Sequence, residues 1–259
     1  MTQTMASKRL FTTASCLGIV LVQLDVSIVN VGLHSLKEAY NAVVSDLEWV
    51  INAYALVFAA LMLGSGSIVD RYGSKATFIS GVAIFIVASV CCALAPTLYW
   101  LDVTRGFQGV GAALLLPSSL TLLRQYFSDP RERASAIAMW AAAGSLALVA
   151  GPVVGGLLIK HFGWKSIFLI NFPLGLFSIM VIRRLAPAGQ PSRTEMNLLS
   201  QAFIAAGLAM LTFTLTEGGE YGWTSPAILT TLALGVLMLA AYRRIDNHAA
   251  HPVIARDVS

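Results

Sequence analysis

Asp25 and Arg105 are the residues from which chemistry is expected, because both fall in stretches too apolar for water. Arg105 opens the run Arg105-Gly106-Phe107-Gln108-Gly109-Val110-Gly111-Ala112-Ala113, inside an apolar segment from Leu98 to Leu123. An arginine at bilayer depth costs roughly 2.5–3.5 kcal/mol on insertion scales, and chains keep one where ions or substrates move. Asp25 lies in Leu24-Asp25-Val26-Ser27-Ile28-Val29-Asn30-Val31, roughly 21 Å along its span by helical rise. Arg105 lies ~10 Å from the outer end of a span running the other way, so the two charges meet at similar depth. Asp25 is expected to bind and release a proton or to meet a cationic ligand, with Arg105 setting its charge. Burial favours the neutral carboxyl and a guanidinium favours the carboxylate. Two plainer readings stand beside this one. Asp25 pairs with Arg105 only to make both tolerable in lipid, or Asp102, three residues from Arg105, neutralises it instead.

The elements that position these residues are membrane spans. Hydrophobic residues make up 57% of the 259 and charged residues only 12%, with mean hydropathy +0.75. So few charges cannot dress a water-facing surface, and lipid must be the main solvent. The net charge of +4 comes from basic residues scattered between apolar runs, which argues for topology signals and against nucleic acid. No phosphate loop, metal-spaced Cys/His set or nucleophile motif is present, so no enzyme, cofactor or metal is expected. A span needs about 20 apolar residues. Eight are read, at residues 11–33, 47–69, 77–95, 98–123, 134–159, 166–184, 198–216 and 226–242. With the N-terminus inside, 13 of the 17 Lys and Arg fall on inner segments and only Lys37, Lys160 and Lys165 on outer ones. That asymmetry places both termini in the cytoplasm.

An internal repeat refines the architecture. Gly66, Gly73, Lys75 and Phe78 recur as Gly156, Gly163, Lys165 and Phe168, all offset by 90 residues. One copy joins spans two and three on the inside, and the other joins spans five and six on the outside. Three spans repeated upside down are the plan of a six-helix transporter half. In span five, Ala143, Ala147, Gly151 and Gly155 recur every four residues as a smooth ridge for a crossing helix. Pro152 can kink the helix there.

These segments together resemble the major facilitator superfamily, in particular its 14-helix drug:proton antiporters. The match rests on Leu24 to Val31, on Gly66 to Lys75, on Leu101 to Ala113 and on Gly151-Pro152-Val153-Val154-Gly155-Gly156. Weaker support comes from Trp164 to Pro173 and from the Gly219-to-Pro226 loop. The resemblance implies an all-α integral membrane fold in the cell membrane: a six-helix half over residues 1–185, built as a 3+3 inverted repeat. A cytoplasmic connector (186–197), two extra central helices (198–242) and a cytoplasmic tail (243–259) follow. It implies proton-coupled efflux of hydrophobic or cationic small molecules, with Asp25 and Arg105 coupling the proton. Asn30, Gln108, Gly109 and Gly111 are expected in the substrate cavity. Gly66, Asp70, Arg71, Gly73 and Lys75 are expected to form a cytoplasmic gate loop with Asp70 in a charge network. The loop departs from the family pattern at Ser74, where a second basic residue is usual. Gly151, Pro152, Gly155 and Gly156 carry the antiporter element. The second six-helix half is not in the sequence. The expectation is therefore a truncated transporter; a half-transporter pairing with a second half and a non-transporting module or remnant are the alternatives.

Overall fold

The computed structural model describes residues 4–187 and 198–248, and every regular element among them is an α-helix. The helices are α1 (Met5–Tyr40), α2 (Val44–Tyr72), α3 (Ser74–Ala93), α4 (Leu98–Tyr126), α5 (Pro130–Phe162), α6 (Ser166–Leu169), α7 (Asn171–Leu185), α8 (Leu198–Tyr221) and α9 (Pro226–His248). The connector and tail expected from sequence fall mostly outside the described residues. Seven spans pass on length and apolarity as continuous stretches, with α6 and α7 counted as one. The eighth is α2, which bends by 61° between Asp46–Met62 and Gly64–Tyr72. The bend coincides with Gly64-Ser65-Gly66-Ser67, a run that weakens helix packing of its own backbone, and Ser65 Oγ donates to Met62 O at 2.6 Å.

Helices outrun the spans read from sequence because their ends are capped. At the start of α5, Asp129 accepts from Glu132 N at 3.0 Å. Pro130 takes the first helical position, where a missing N–H leaves nothing unpaired. Between α6 and α7 the opposite happens. Pro173 has no N–H to offer Leu169 O, and the span breaks at Ile170.

The internal repeat is visible in the backbone. Gly73 ends α2 at φ +83° and Gly163 ends α5 at φ +78°, left-handed values that disfavour any side chain. Gly73 N donates to Val69 O and Gly163 N to Ile159 O, each at 2.9 Å. Phe78 and Phe168 are both fully buried. The packing obeys the same exchange: α1 lies along α5 as α4 lies along α2, and α3 meets α4 as α6 and α7 meet α1. Outside this bundle α8 pairs with α9 and lies against α2, with the Trp49 and Phe213 rings 6.0 Å apart.

Apolar side chains cover the outside. Leu146, Val149, Val153 and Leu157 of α5 are all exposed while Ala136, Gly144, Ala147, Gly151 and Gly155 face inward. In water such a surface would aggregate, and in a bilayer it is solvated. The chain is a multi-pass membrane protein.

Candidate functional site

Asp25 and Arg105 are each 1% exposed, and they form an ion pair with Arg105 Nη1 donating to Asp25 Oδ2 at 2.6 Å. Gln108 bridges the pair. Its Nε2 donates to Asp25 Oδ1 at 2.7 Å, and its Oε1 accepts from Arg105 Nη1 at 2.8 Å. Arg105 Nε donates to Val50 O on α2 at 2.9 Å. The guanidinium carbon stands 4.3 Å from the centre of the Tyr54 ring, a cation–π contact. On the other side Asn171 Nδ2 donates to Asp25 Oδ1 at 3.3 Å and to Ser89 Oγ at 3.0 Å. Ser89 in turn donates to Phe168 O at 2.8 Å. The carboxylate of α1 is thus bonded from α4 and α7, and α2, α3 and α6 join the network through Arg105, Asn171 and Ser89.

The sequence of α4 explains why they can. Arg105 and Gln108 share a face at helical spacing. A Cβ at Gly109 would stand 2.6 Å from Tyr54 O, so only glycine lets α2 come near enough to bring Val50 and Tyr54 to the guanidinium. A Cβ at Gly111 would stand 2.7 Å from Phe85 N, which lets α3 bring Ser89 and Cys92 alongside. The single Cys92 S–H has two acceptors in reach, Thr104 Oγ1 at 3.2 Å and Gln108 Oε1 at 3.6 Å. The alternative pairing is excluded by the geometry: Arg105 makes no hydrogen bond or ion pair with Asp102, whose Oδ1 is buried without a hydrogen-bond partner.

A cavity of about 120 Å³ opens between α1 and α2, lined by Gln23, Val26, Tyr54, Phe58 and Arg105 among others. Of the four residues expected in a cavity, none lines this one. Asn30 is exposed, and its amide donates to Val26 O in its own helix. Gln108 is fully buried and holds Asp25 instead. Gly109 and Gly111 are spent on helix contacts. For the two glycines the reason is close helix approach beside the buried charge.

The α5 element faces α1. A Cβ at Gly151 would collide with the Ser27 side chain, and one at Gly155 would stand 3.2 Å from Ile28 Cγ1. The ridge expected to begin at Ala143 begins at Gly144, whose Cβ would meet Ile19 Cδ1 at 2.7 Å; Ala143 itself is only half-buried. Gly156 faces open space. Pro152 removes the N–H that would bond to Leu148 O, four residues back. That carbonyl accepts from Ser27 Oγ at 2.7 Å. A hydroxyl two residues beyond Asp25 therefore fills the bond the proline leaves open.

The cytoplasmic link is looser. Gly73 supplies the turn, and Gly66 has no neighbour within contact distance. Lys75 Nζ donates to Ala186 O at the end of α7 at 2.8 Å. Ser74 is buried and donates to Gln125 Oε1 at 2.6 Å, so the departure from a basic residue there fits a position closed to solvent. Arg71 lies 5.7 Å from the Tyr72 ring centre. Asp70 is exposed, and among the described residues it makes no hydrogen bond or ion pair. The charge network expected around it is not formed here.

The Major Facilitator Superfamily model matches residues 15–243. The chain belongs to that superfamily. Among curated relatives, it is 36% identical over 242 residues to a methylenomycin A resistance protein of Streptomyces coelicolor, covering 93% of this chain and 51% of the relative. Its likeness to the Bacillus subtilis protein of the same description is also 36%, covering 92% and 51%. A drug efflux pump of Mycobacterium tuberculosis, JefA, is 32% identical, with 95% and 49% covered. The chain spans about half the length of these relatives. Among solved structures it resembles a bacterial homologue of the human lysosomal transporter Spinster, inward-facing and unoccupied, with TM-score 0.61 and 17% identity. That match covers 94% of this chain and 62% of the other, and it speaks for the fold.

In this superfamily member both charges and Gln108 beside Arg105 stand out in the sequence, whereas Asn171, Tyr54 and Ser89 do not stand out as their neighbours. Asn171 carried a signal, a lone amide in the apolar run Phe168-Leu169-Ile170-Asn171-Phe172. Tyr54, Ser89 and Ser27 carried none, since such residues are common in any apolar helix.

Proposed function

We propose that this chain is the proton-handling half of a drug-efflux antiporter. Asp25 binds and releases the coupling proton, and Arg105 competes with that proton for the same carboxylate. The observation that carries this reading is the closed ion pair at bilayer depth. A fully buried carboxylate held by a guanidinium and two amides is expensive in lipid and serves transport by default. A proton that neutralises Asp25 weakens its hold on Arg105 and hence the joint between α1 and α4. A carboxylate that can alternate between proton and guanidinium converts a proton gradient into helix movement.

The cargo is read from the relatives, which are named for antibiotic resistance and drug efflux. It is a hydrophobic or cationic small molecule, moving between this half and a second half. In transporters built from repeats the substrate path lies at the repeat interface near the midplane, and the relatives are about twice as long. The second half is supplied by further sequence or by another chain. The bias of basic residues supports a cell-membrane orientation with both ends cytoplasmic. Gly66, Asp70, Arg71, Gly73 and Lys75 form the inner gate loop, with Asp70 and Arg71 presented to whatever closes against them. Gly151, Pro152, Gly155 and Gly156 form the joint on which α1 and α5 move.

Deleting the gene in its own host, in a background lacking other efflux pumps, should raise ethidium accumulation. The wild-type gene should restore efflux, Asp25→Asn should not, and a proton ionophore should abolish the restored efflux. Accumulation unchanged by the deletion overturns the reading.

A further inference from the structure

The Asp25 carboxylate is satisfied only while it is ionised. Its Oδ1 accepts from Gln108 Nε2 and Asn171 Nδ2, and its Oδ2 accepts from Arg105 Nη1. Once a proton from water binds, the carboxyl becomes a donor and needs an acceptor in a site where every close neighbour is donating to it. Arg105 has no acceptor. Gln108 Oε1 already accepts from Arg105 Nη1, and Gln108 meets Asp25 through its donor Nε2. Asn171 Oδ1 is buried and has no hydrogen-bond partner, although its amide sits against Asp25. An orphaned buried acceptor carries a standing desolvation penalty, and such groups call for an explanation.

We infer that Asn171 is the residue that reads the protonation state of Asp25: on protonation its amide turns over, and Oδ1 accepts the new carboxyl hydrogen. This rests on the proposed proton coupling at Asp25. The ionised state has Nδ2 towards Asp25 and Oδ1 unpaired, and the protonated state has the two exchanged. The turn also moves Nδ2 away from Ser89 Oγ. The Ser89 hydroxyl then swings from Phe168 O to Asn171 Oδ1, leaving that carbonyl at the end of α6 to the Ile170 N–H alone. Phe168 lies two residues before the break at Ile170, where Pro173 has already removed a helical bond. A proton on α1 is thereby felt at the weakest point of the α6–α7 span. Asn171 is a positioning residue in this scheme. The proton passes between water and Asp25 and never resides on the amide. The other ionisable groups facing Asp25 are Arg105 on α4, Tyr54 on α2 and Cys92 on α3. Nothing charged among the described residues faces it from α5 or α7.

Infrared difference spectra of the purified chain in lipid nanodiscs, between alkaline and acid pH, test this. A protonated-carboxyl band that is absent in Asp25→Asn belongs to Asp25. In Asn171→Ala that band should move to higher frequency, because the carboxyl loses its acceptor, and Asn171→Gln, which keeps the carbamoyl group, should return it towards wild type. Wild-type protein carrying ¹³C in its asparagine side-chain carbonyls needs no variant to fold. Its labelled amide band should shift together with the carboxyl band, and both changes should vanish in Asp25→Asn. An Asp25 band unmoved by Asn171→Ala, or moved by Tyr54→Phe instead, overturns the role of Asn171 and leaves proton coupling standing. No Asp25 band at any pH overturns the proton coupling itself.

Discussion

The buried cluster around Asp25 and the cytoplasmic link around Asp70 are both short acid–base constellations, yet they differ in closure. In the cluster every polar atom of Arg105 and Asp25 engaged by α2, α4 and α7 points inward to a partner. In the link Asp70 is exposed without a partner among the described residues, and Arg71 rests only on its neighbouring Tyr72 ring. The lesson is dielectric. Lipid forces a charge to be satisfied within its own half, whereas water at the membrane surface lets a charge wait for a partner. Substitutions in the cluster should therefore act on folding and coupling together, and those in the link should barely touch folding.

The largest effect is expected from Arg105→Ala. It strands the Asp25 carboxylate in the bundle, and breaking a buried pair costs about 3–5 kcal/mol. Thermal unfolding in detergent should show a clear drop for Arg105→Ala, with the double variant Asp25→Leu/Arg105→Leu less destabilised than the single one. If single and double variants unfold alike, the two charges are not coupled and the contrast with the link collapses.

Next comes Gly109→Leu. The added side chain would meet the α2 backbone at Tyr54 and Phe58, and overpacking of this kind costs about 1–3 kcal/mol. It should also push Val50 O and Tyr54 away from the guanidinium, so a drop in thermal stability should come with a changed near-ultraviolet aromatic circular-dichroism spectrum. A stable variant with unchanged spectra would mean α2 does not need the close approach.

How far this was legible beforehand follows from the same contrast. Asp25 and Arg105 stood out because polar residues are rare in apolar runs, and their common depth followed from helical rise alone. The repeat was legible because Gly73 and Gly163 serve a backbone conformation that only glycine takes easily. The neighbours were not legible, since whether a serine or tyrosine meets a charge depends on how two helices are rotated. Gly109 and Gly111 show the same limit: a small residue beside a charge is equally consistent with a cavity wall and with a tight crossing, and here both sit at tight crossings. On α5, Ala147, Gly151 and Gly155 are buried as expected and only the first position moves, from Ala143 to Gly144, because a strict four-residue repeat drifts around a helix of 3.6 residues per turn. Asp70 was expected in a network because the reading supplied a partner that the described residues do not contain.

Between cluster and link in size stands the joint of α1 and α5. Ser27→Ala removes the donor to Leu148 O while Pro152 still withholds its own, leaving a carbonyl unpaired at about 1–3 kcal/mol. Pro152→Ala restores the helical N–H, so the same Ser27→Ala change in that background should be close to neutral. A double-mutant cycle on thermal stability reads the coupling directly. Equal losses in both backgrounds would show that Ser27 acts by packing against Gly151 and not through the freed carbonyl.

The smallest effect is expected at Lys75. Its ammonium caps the carbonyl end of α7 through Ala186 O, a favourable contact with the helix dipole of about 0.3–1 kcal/mol. Lys75→Met keeps the aliphatic stem and should lower stability by no more than that, with the loss shrinking as salt rises and screens the charge. Asp70→Asn and Arg71→Gln should leave stability nearly unchanged, because Asp70 has no partner among the described residues and Arg71 touches only the exposed Tyr72 ring. If either of them destabilised the isolated chain as much as Arg105→Ala, the link would be a closed network after all, and its charges would not be free to brace another surface.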